Sequence, residues 1–214
     1  AALENGFTAA SLVSGAPVVI EDDISGDWRP QNYSRKVFGP TRLREALSKS
    51  LNLVSVRLVR ALGVETIRDY LEKFGFDRAR LPQGLSLALG SATVTPIEIA
   101  RAYGVFANGG YLVEPFFIAR VEDPSGQIVE YANRQMLCSG CAIPISESSD
   151  SSQPLPDLRF SQQVVSPENA FILDSMMREV IRSGTGRAAR SLHRDDLAGK
   201  TGTTNNYFDA WFTG

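Results

Sequence analysis

The chain has 214 residues, 43% of them apolar and 21% charged, with a net charge of −2. That length allows one sizeable core or two small domains, and the charge balance argues against a nucleic-acid binder, which needs a basic face. No apolar run approaches the roughly 18 residues of a membrane helix. The opening AALENG also lacks the basic start and apolar core of a signal peptide, so the chain is either cytosolic or preceded by a targeting segment.

AALENG reads as the last turn of a helix stopped by Gly6, the usual left-handed cap. Residues 11 to 40 show little periodicity; Val18 to Ile20 is a short apolar run and DWRPQNYS a loop. Thr41 is expected to cap a helix carrying Leu43, Ala46 and Leu47 on one face. A second helix runs through Val54, Leu58 and Leu62 to Gly63, and a third presents Ile67, Tyr70, Leu71 and Phe74 before Gly75. In TPIE, Thr95 caps, Pro96 takes the first helical position and Glu98 reaches back, a capping box for a helix that stops at Asn108-Gly109-Gly110.

YLVEPFFIARVED, the turn DPSG and QIVEY follow as a hairpin. Residues 133 to 162 are rich in Ser, Pro and Gln and read as a surface insertion. SPEN at 166 to 169 opens a long helix with Leu173, Met176, Met177 and Val180 on one face, a core face, and SGTG at 183 to 186 ends it. LAGKTGT and YFDAWFTG are two strands joined by TTNN. Helices and antiparallel strands without a βαβ rhythm indicate an α+β fold, an antiparallel sheet packed by helices.

Cys138 and Cys141 stand in a Cys-Ser-Gly-Cys stretch with His193 as the one other strong metal ligand. Zinc needs about four ligands, so no metal site is expected. Free thiols and a short disulfide in an exported protein both remain open, the second being preferred. A Ser-His-Asp triad through His193 lacks the Gly-x-Ser-x-Gly elbow, and the adjacent Asp22 and Asp23 suit a turn better than a glycosidase carboxylate pair.

Two stretches carry chemistry: Ser50-Leu51-Asn52 at a helix junction, and Lys200-Thr201-Gly202-Thr203 opening a hairpin. Each alone is common, the first as a cap and the second as a strand end. Together, in this order and 150 positions apart, they match the second and third motifs of penicillin-binding proteins and serine β-lactamases. Their flanks, REALSKSLNLVSVRL and AGKTGTTNNYFDAWFTG, together with LALGSATVTPIEIARAYGVFANGG and VVIEDD…WRPQNYS, resemble the transpeptidase domain of class A (bifunctional) penicillin-binding proteins.

The resemblance spans residues 1 to 214 apart from the insertion at about 133–162. The first family motif, Ser-x-x-Lys, does not occur in the chain. The resemblance places it just before Ala1 and further strands after Gly214, so a partial transpeptidase domain, incomplete at both ends, is expected.

The activity implied is acyl transfer from D-Ala-D-Ala stem peptides through a serine acyl-enzyme, with β-lactam antibiotics as inhibitors and no cofactor. Ser50 and Lys200 are the implied catalytic residues in this chain: Ser50 relays a proton to the leaving amine, and Lys200 places positive charge beside it. Asn52, Thr201, Gly202 and Thr203 are the implied substrate-binding residues, and Ser50, Asn52, Lys200 and Thr203 are expected to converge on one cleft. The whole protein is expected to carry a membrane anchor and a glycosyltransferase domain upstream and to work at the periplasmic face of the inner membrane. The alternative is a β-lactam-binding sensor or scaffold on the same fold without turnover.

Overall fold

A computed structural model of the protein describes residues 1–21, 26–131, 135–137, 159–204 and 208–214. The chain opens with one turn of 3-10 helix, Leu3–Asn5, stopped by Gly6 at φ 83°. The glycine cap is as expected; the helical turn is of the tighter kind. Strand β1 (Leu12–Ser14) pairs antiparallel with β2 (Pro40–Arg42), placing Val13 opposite Thr41. Thr41 therefore belongs to a strand and does not cap the next helix. Its hydroxyl donates to the Gly39 carbonyl at 3.0 Å, and Arg42 occupies the cap position of α1 (Leu43–Ser48).

Helices α2 (Asn52–Leu62) and α3 (Val64–Glu72) follow, divided by Gly63 at φ 86°. Helix α4 (Pro96–Ala107) starts on the capping box read from TPIE: Glu98 N–H donates to the Thr95 hydroxyl at 3.4 Å, and Thr95 N–H donates to the Glu98 carboxylate at 2.6 Å. The Thr95 N–H bond, and after it a bond donated by the Thr95 hydroxyl to the same carboxylate at 2.8 Å, hold the Glu98 carboxyl below its usual value.

Strand β3 (Tyr111–Leu112) does not join the hairpin that follows it. Only β4 (Arg120–Glu122) and β5 (Ile128–Tyr131) form that hairpin. Strands β6 (Gln135–Met136) and β7 (Arg159–Phe160) pair in parallel, and β8 (Gln162–Gln163) pairs with β3. The two ends of the 133–162 stretch are thus joined; Cys138 and Cys141 lie outside the described residues, as do Asp22 and Asp23.

Helix α5 (Pro167–Arg182) begins on Ser166, whose hydroxyl accepts from Asn169 N–H at 3.3 Å. Strands β9 (Lys200–Thr203) and β10 (Ala210–Thr213) close the described chain as an antiparallel ribbon, with Lys200 opposite Thr213 and Gly202 opposite Trp211. The architecture is α+β. Among the described residues its strands form two-stranded pairs and not one continuous sheet.

Two apolar clusters hold the helices. Leu43, Ala46, Leu51, Val54 and Met176 bring α1, the start of α2 and α5 together. Phe74, Ala102, Val105, Val164, Val165 and Ala170 pack α4 against the segment entering α5. Met176 and Met177 are both buried, at 5% and 6% exposure, as the helix-face reading of α5 requires. Burial of an apolar side chain of this size stabilises by about 1.5–3 kcal/mol, so the first cluster fixes the α1–α2 junction firmly.

Candidate active site

Ser50 sits at that junction. Helix α1 ends in a Schellman turn: Ser50 N–H donates to the Leu47 carbonyl at 3.1 Å and Leu51 N–H to the Ala46 carbonyl at 2.9 Å. Leu51 and Ala46, the apolar pair that commonly accompanies such a turn, are both buried. The position that is left-handed in this motif is usually glycine; here it is Ser50, at φ 53°. A non-glycine residue there costs roughly 1–2 kcal/mol. A strained serine held by bonds on both sides marks a place where the side chain matters more than the local backbone preference.

Lys200 reaches this serine from the root of β9. Its ammonium donates to the Ser50 hydroxyl at 2.9 Å and to the Thr201 carbonyl at 2.8 Å, with the Thr201 hydroxyl 3.5 Å away. An ammonium has no acceptor, so Ser50 Oγ accepts in this pair and its own hydrogen is left for another partner. Burial pulls the Lys200 pKa below its ordinary value, which eases loss of its proton.

Two glycines allow the approach. A Cβ on Gly199 would lie 2.5 Å from the Phe212 ring and 2.5 Å from the Thr213 carbonyl oxygen, so the root of the β9–β10 ribbon closes only without a side chain there. A Cβ on Gly184, just past α5, would lie 2.2 Å from the Ser48 carbonyl oxygen.

Asn52 opens α2, and its side-chain amide donates to the Gln31 carbonyl at 2.8 Å. The neighbouring Asn32 is buried, at 4% exposure. Its carboxamide oxygen accepts from Leu53 N–H at 3.2 Å and its nitrogen donates to the Lys36 carbonyl at 2.9 Å. The loop read as WRPQNYS thus braces the start of α2.

Thr201 is half-buried, while Gly202 and Thr203 lie exposed further along β9. A Cβ on Gly202 would meet nothing within 4 Å. The structure therefore brings Ser50, Lys200 and Thr201 together. It forms no hydrogen bond from the Thr203 side chain to Ser50 or Lys200. His193 is an exposed residue ending a 3-10 turn, Arg187–Leu192.

One group went unread in the sequence. SGTG at 183–186 was legible only as a helix stop. In the structure Thr185 N–H donates to the Ser48 carbonyl at 3.0 Å, and its hydroxyl lies 2.6 Å from that of Thr201. The segment after α5 thereby ties the Ser50 turn to β9. The one available signal was a threonine between two glycines, too common to single out.

The chain resembles known proteins along its whole length. Residues 1–214 match the family model described as the penicillin binding protein transpeptidase domain. Penicillin-binding protein 1A of Pseudomonas aeruginosa is 43% identical over 240 residues, covering 100% of this chain and 29% of that protein. The Escherichia coli protein of the same name is 37% identical over 257 residues, covering 100% of this chain and 30% of its own length. The chain thus spans under a third of these curated relatives. The crystal structure of penicillin-binding protein 1A from Haemophilus influenzae superposes with a TM-score of 0.85 at 34% identity, over 99% of this chain and 33% of that one. Penicillin-binding protein A from Mycobacterium tuberculosis, at 21% identity and a TM-score of 0.71 over 99% of this chain and 47% of that one, shares the fold.

Proposed function

The chain belongs to the penicillin-binding protein transpeptidase family, and from that premise we propose that it supplies the proton relay and the carboxylate-binding strand of a peptidoglycan D,D-transpeptidase. The observation that carries this reading is the 2.9 Å contact between Lys200 and Ser50 across 150 residues of chain.

The reaction needs a nucleophile, a path for its proton and a hold on the substrate. A serine attacks the penultimate carbonyl of a D-Ala-D-Ala stem peptide. The bond to the terminal D-alanine breaks, and an amine of a second peptide later takes the acyl group. The attacking serine belongs to the Ser-x-x-Lys motif, which these 214 residues do not contain. Ser50 accepts a hydrogen bond from Lys200, so its own hydrogen is the one given to the leaving amine, and the proton of the attacking serine replaces it. Lys200 and the Thr201 hydroxyl face the terminal carboxylate. Gly202 leaves the strand open for a substrate laid alongside it as an added strand, where Asn52 and Thr203 complete the binding groups.

In this reading the whole protein is anchored in the bacterial inner membrane, works at its periplasmic face on peptidoglycan stem peptides, and is a target of β-lactam antibiotics. No helix among the described residues is long and apolar enough to cross a membrane. The family resemblance assigns the anchor, and the glycosyltransferase domain of a bifunctional enzyme, to other parts of the protein.

The test is timed labelling with a fluorescent penicillin. The full-length protein is expected to take a covalent label and to release D-alanine from a stem peptide. The 214-residue chain alone is expected to take none, because general-base help is absent and is worth roughly 10²–10⁴ in rate. Covalent label on Ser50 of the bare chain would overturn the relay role. Label on the full-length protein without D-alanine release would indicate a sensor.

A further inference from the structure

We infer that Thr185 is a positioning residue for the substrate carboxylate: its hydroxyl, paired with that of Thr201, fixes the one hydroxyl hydrogen that the pair presents to an anion. The inference deepens the transpeptidase reading and rests on it.

The backbone of Thr185 is held on both sides. Its N–H donates to the Ser48 carbonyl at 3.0 Å, and the flanking Gly184 and Gly186 N–H groups donate to the Val180 carbonyl at 3.1 and 3.0 Å. The close fit of Gly184 on the Ser48 carbonyl keeps this segment against the Ser50 turn. From that fixed point the Thr185 side chain reaches β9, where the two hydroxyl oxygens are 2.6 Å apart. Thr185 is exposed and Thr201 half-buried, so the pair lies where the site opens to solvent.

Hydroxyl chemistry gives the pair a direction. Each hydroxyl has one hydrogen and two lone pairs. If Thr185 donates to Thr201, the Thr201 hydrogen is free; if Thr201 donates, the Thr185 hydrogen is free. Either way the pair keeps one hydrogen to offer, strengthened by the bond behind it. The Lys200 ammonium, 3.5 Å from Thr201 Oγ1, offers no acceptor that could take that hydrogen. The array therefore offers an ammonium and a hydroxyl hydrogen side by side, which favours a carboxylate over a neutral ester. Without Thr185 the Thr201 hydroxyl is free to rotate.

The backbone bond of Thr185 survives any side chain, so Thr185→Val removes the hydroxyl and leaves the tether. The full-length protein is acylated with benzylpenicillin and with its methyl ester, and the ratio of the two second-order rates is measured for wild type and variants. Thr185→Val is expected to lower the carboxylate-over-ester preference about tenfold, the usual size for one hydrogen bond to a charged group. Thr185→Ser is expected to restore it. Thr185→Ala provides the same loss without a branched side chain should the valine variant fold poorly. A ratio unchanged from wild type, including one where both rates fall by the same factor, overturns the inference and leaves the transpeptidase reading standing. A wild-type protein that neither probe labels removes both.

Discussion

The two halves of the site are built in opposite ways. The Ser50 turn is set in the core: Leu51 and Leu53 are 3% exposed, Val54 is 1% exposed, and paired backbone bonds close the end of α1. The β9–β10 ribbon is buried at its root, at Gly199, while Gly202, Thr203 and Trp211 further along are exposed. The packed half can hold a strained residue in one geometry. The open half leaves strand surface to which an extended peptide can bind. Lys200 belongs to the ribbon by sequence and to the packed half by contact, and this double membership makes the two halves one site.

The largest test of that division removes the link. Lys200→Ala in the full-length protein is expected to slow penicillin acylation by about 10²–10³-fold, the usual loss for a preorganised electrostatic group. The denaturation midpoint should barely move, because the lysine is held against its own desolvation. A midpoint that falls along with the rate would show that Lys200 holds the halves together structurally.

A pair of glycines gives the intermediate effect. Gly184→Ala forces a Cβ to 2.2 Å from the Ser48 carbonyl oxygen, and a loss of about 1–3 kcal/mol is expected, as for overpacking elsewhere. Gly202→Ala meets open space and should stay within about 0.5 kcal/mol of wild type. Urea unfolding of both variants separates them; equal losses would erase the contrast between packed and open halves.

The smallest effect has the opposite sign. Ser50→Gly relieves the left-handed strain of roughly 1–2 kcal/mol but adds roughly 0.5–1 kcal/mol of unfolded-chain entropy. A net gain in stability of about 0.5 kcal/mol is expected while acylation falls. A Ser50→Gly protein less stable than wild type would mean that the Lys200 contact, and not the turn, sets the energy of this residue.

Local signals made much of this legible in the sequence. The TPIE capping box, the Ser166 cap and the Gly6 and Gly63 stops each act within a few residues, and each appears in the structure as read. Thr41 was misread because a threonine before a helical pattern looks the same whether it caps or pairs; its partner Val13 is far away in sequence. Tyr111 and Leu112 were misjoined to their neighbours for the same reason, their partners being Gln163 and Gln162. At the candidate site, the two motifs singled out Ser50 and Lys200, whose side chains the structure brings into contact. Nothing local could show that Ser50 fills a glycine position, or that Thr185 touches Thr201.

The span between Ser50 and Lys200 also sets an order in time. Closing a flexible loop of 150 residues costs on the order of 4 kcal/mol of chain entropy, and that contact alone cannot repay it. The helices and their clusters are expected to form first, with the Ser50–Lys200 contact among the last. On the ribosome the strained serine turn emerges long before the lysine that completes it. In the transpeptidase reading, reactivity toward penicillin waits on this contact, and a half-made chain carries Ser50 without its partner.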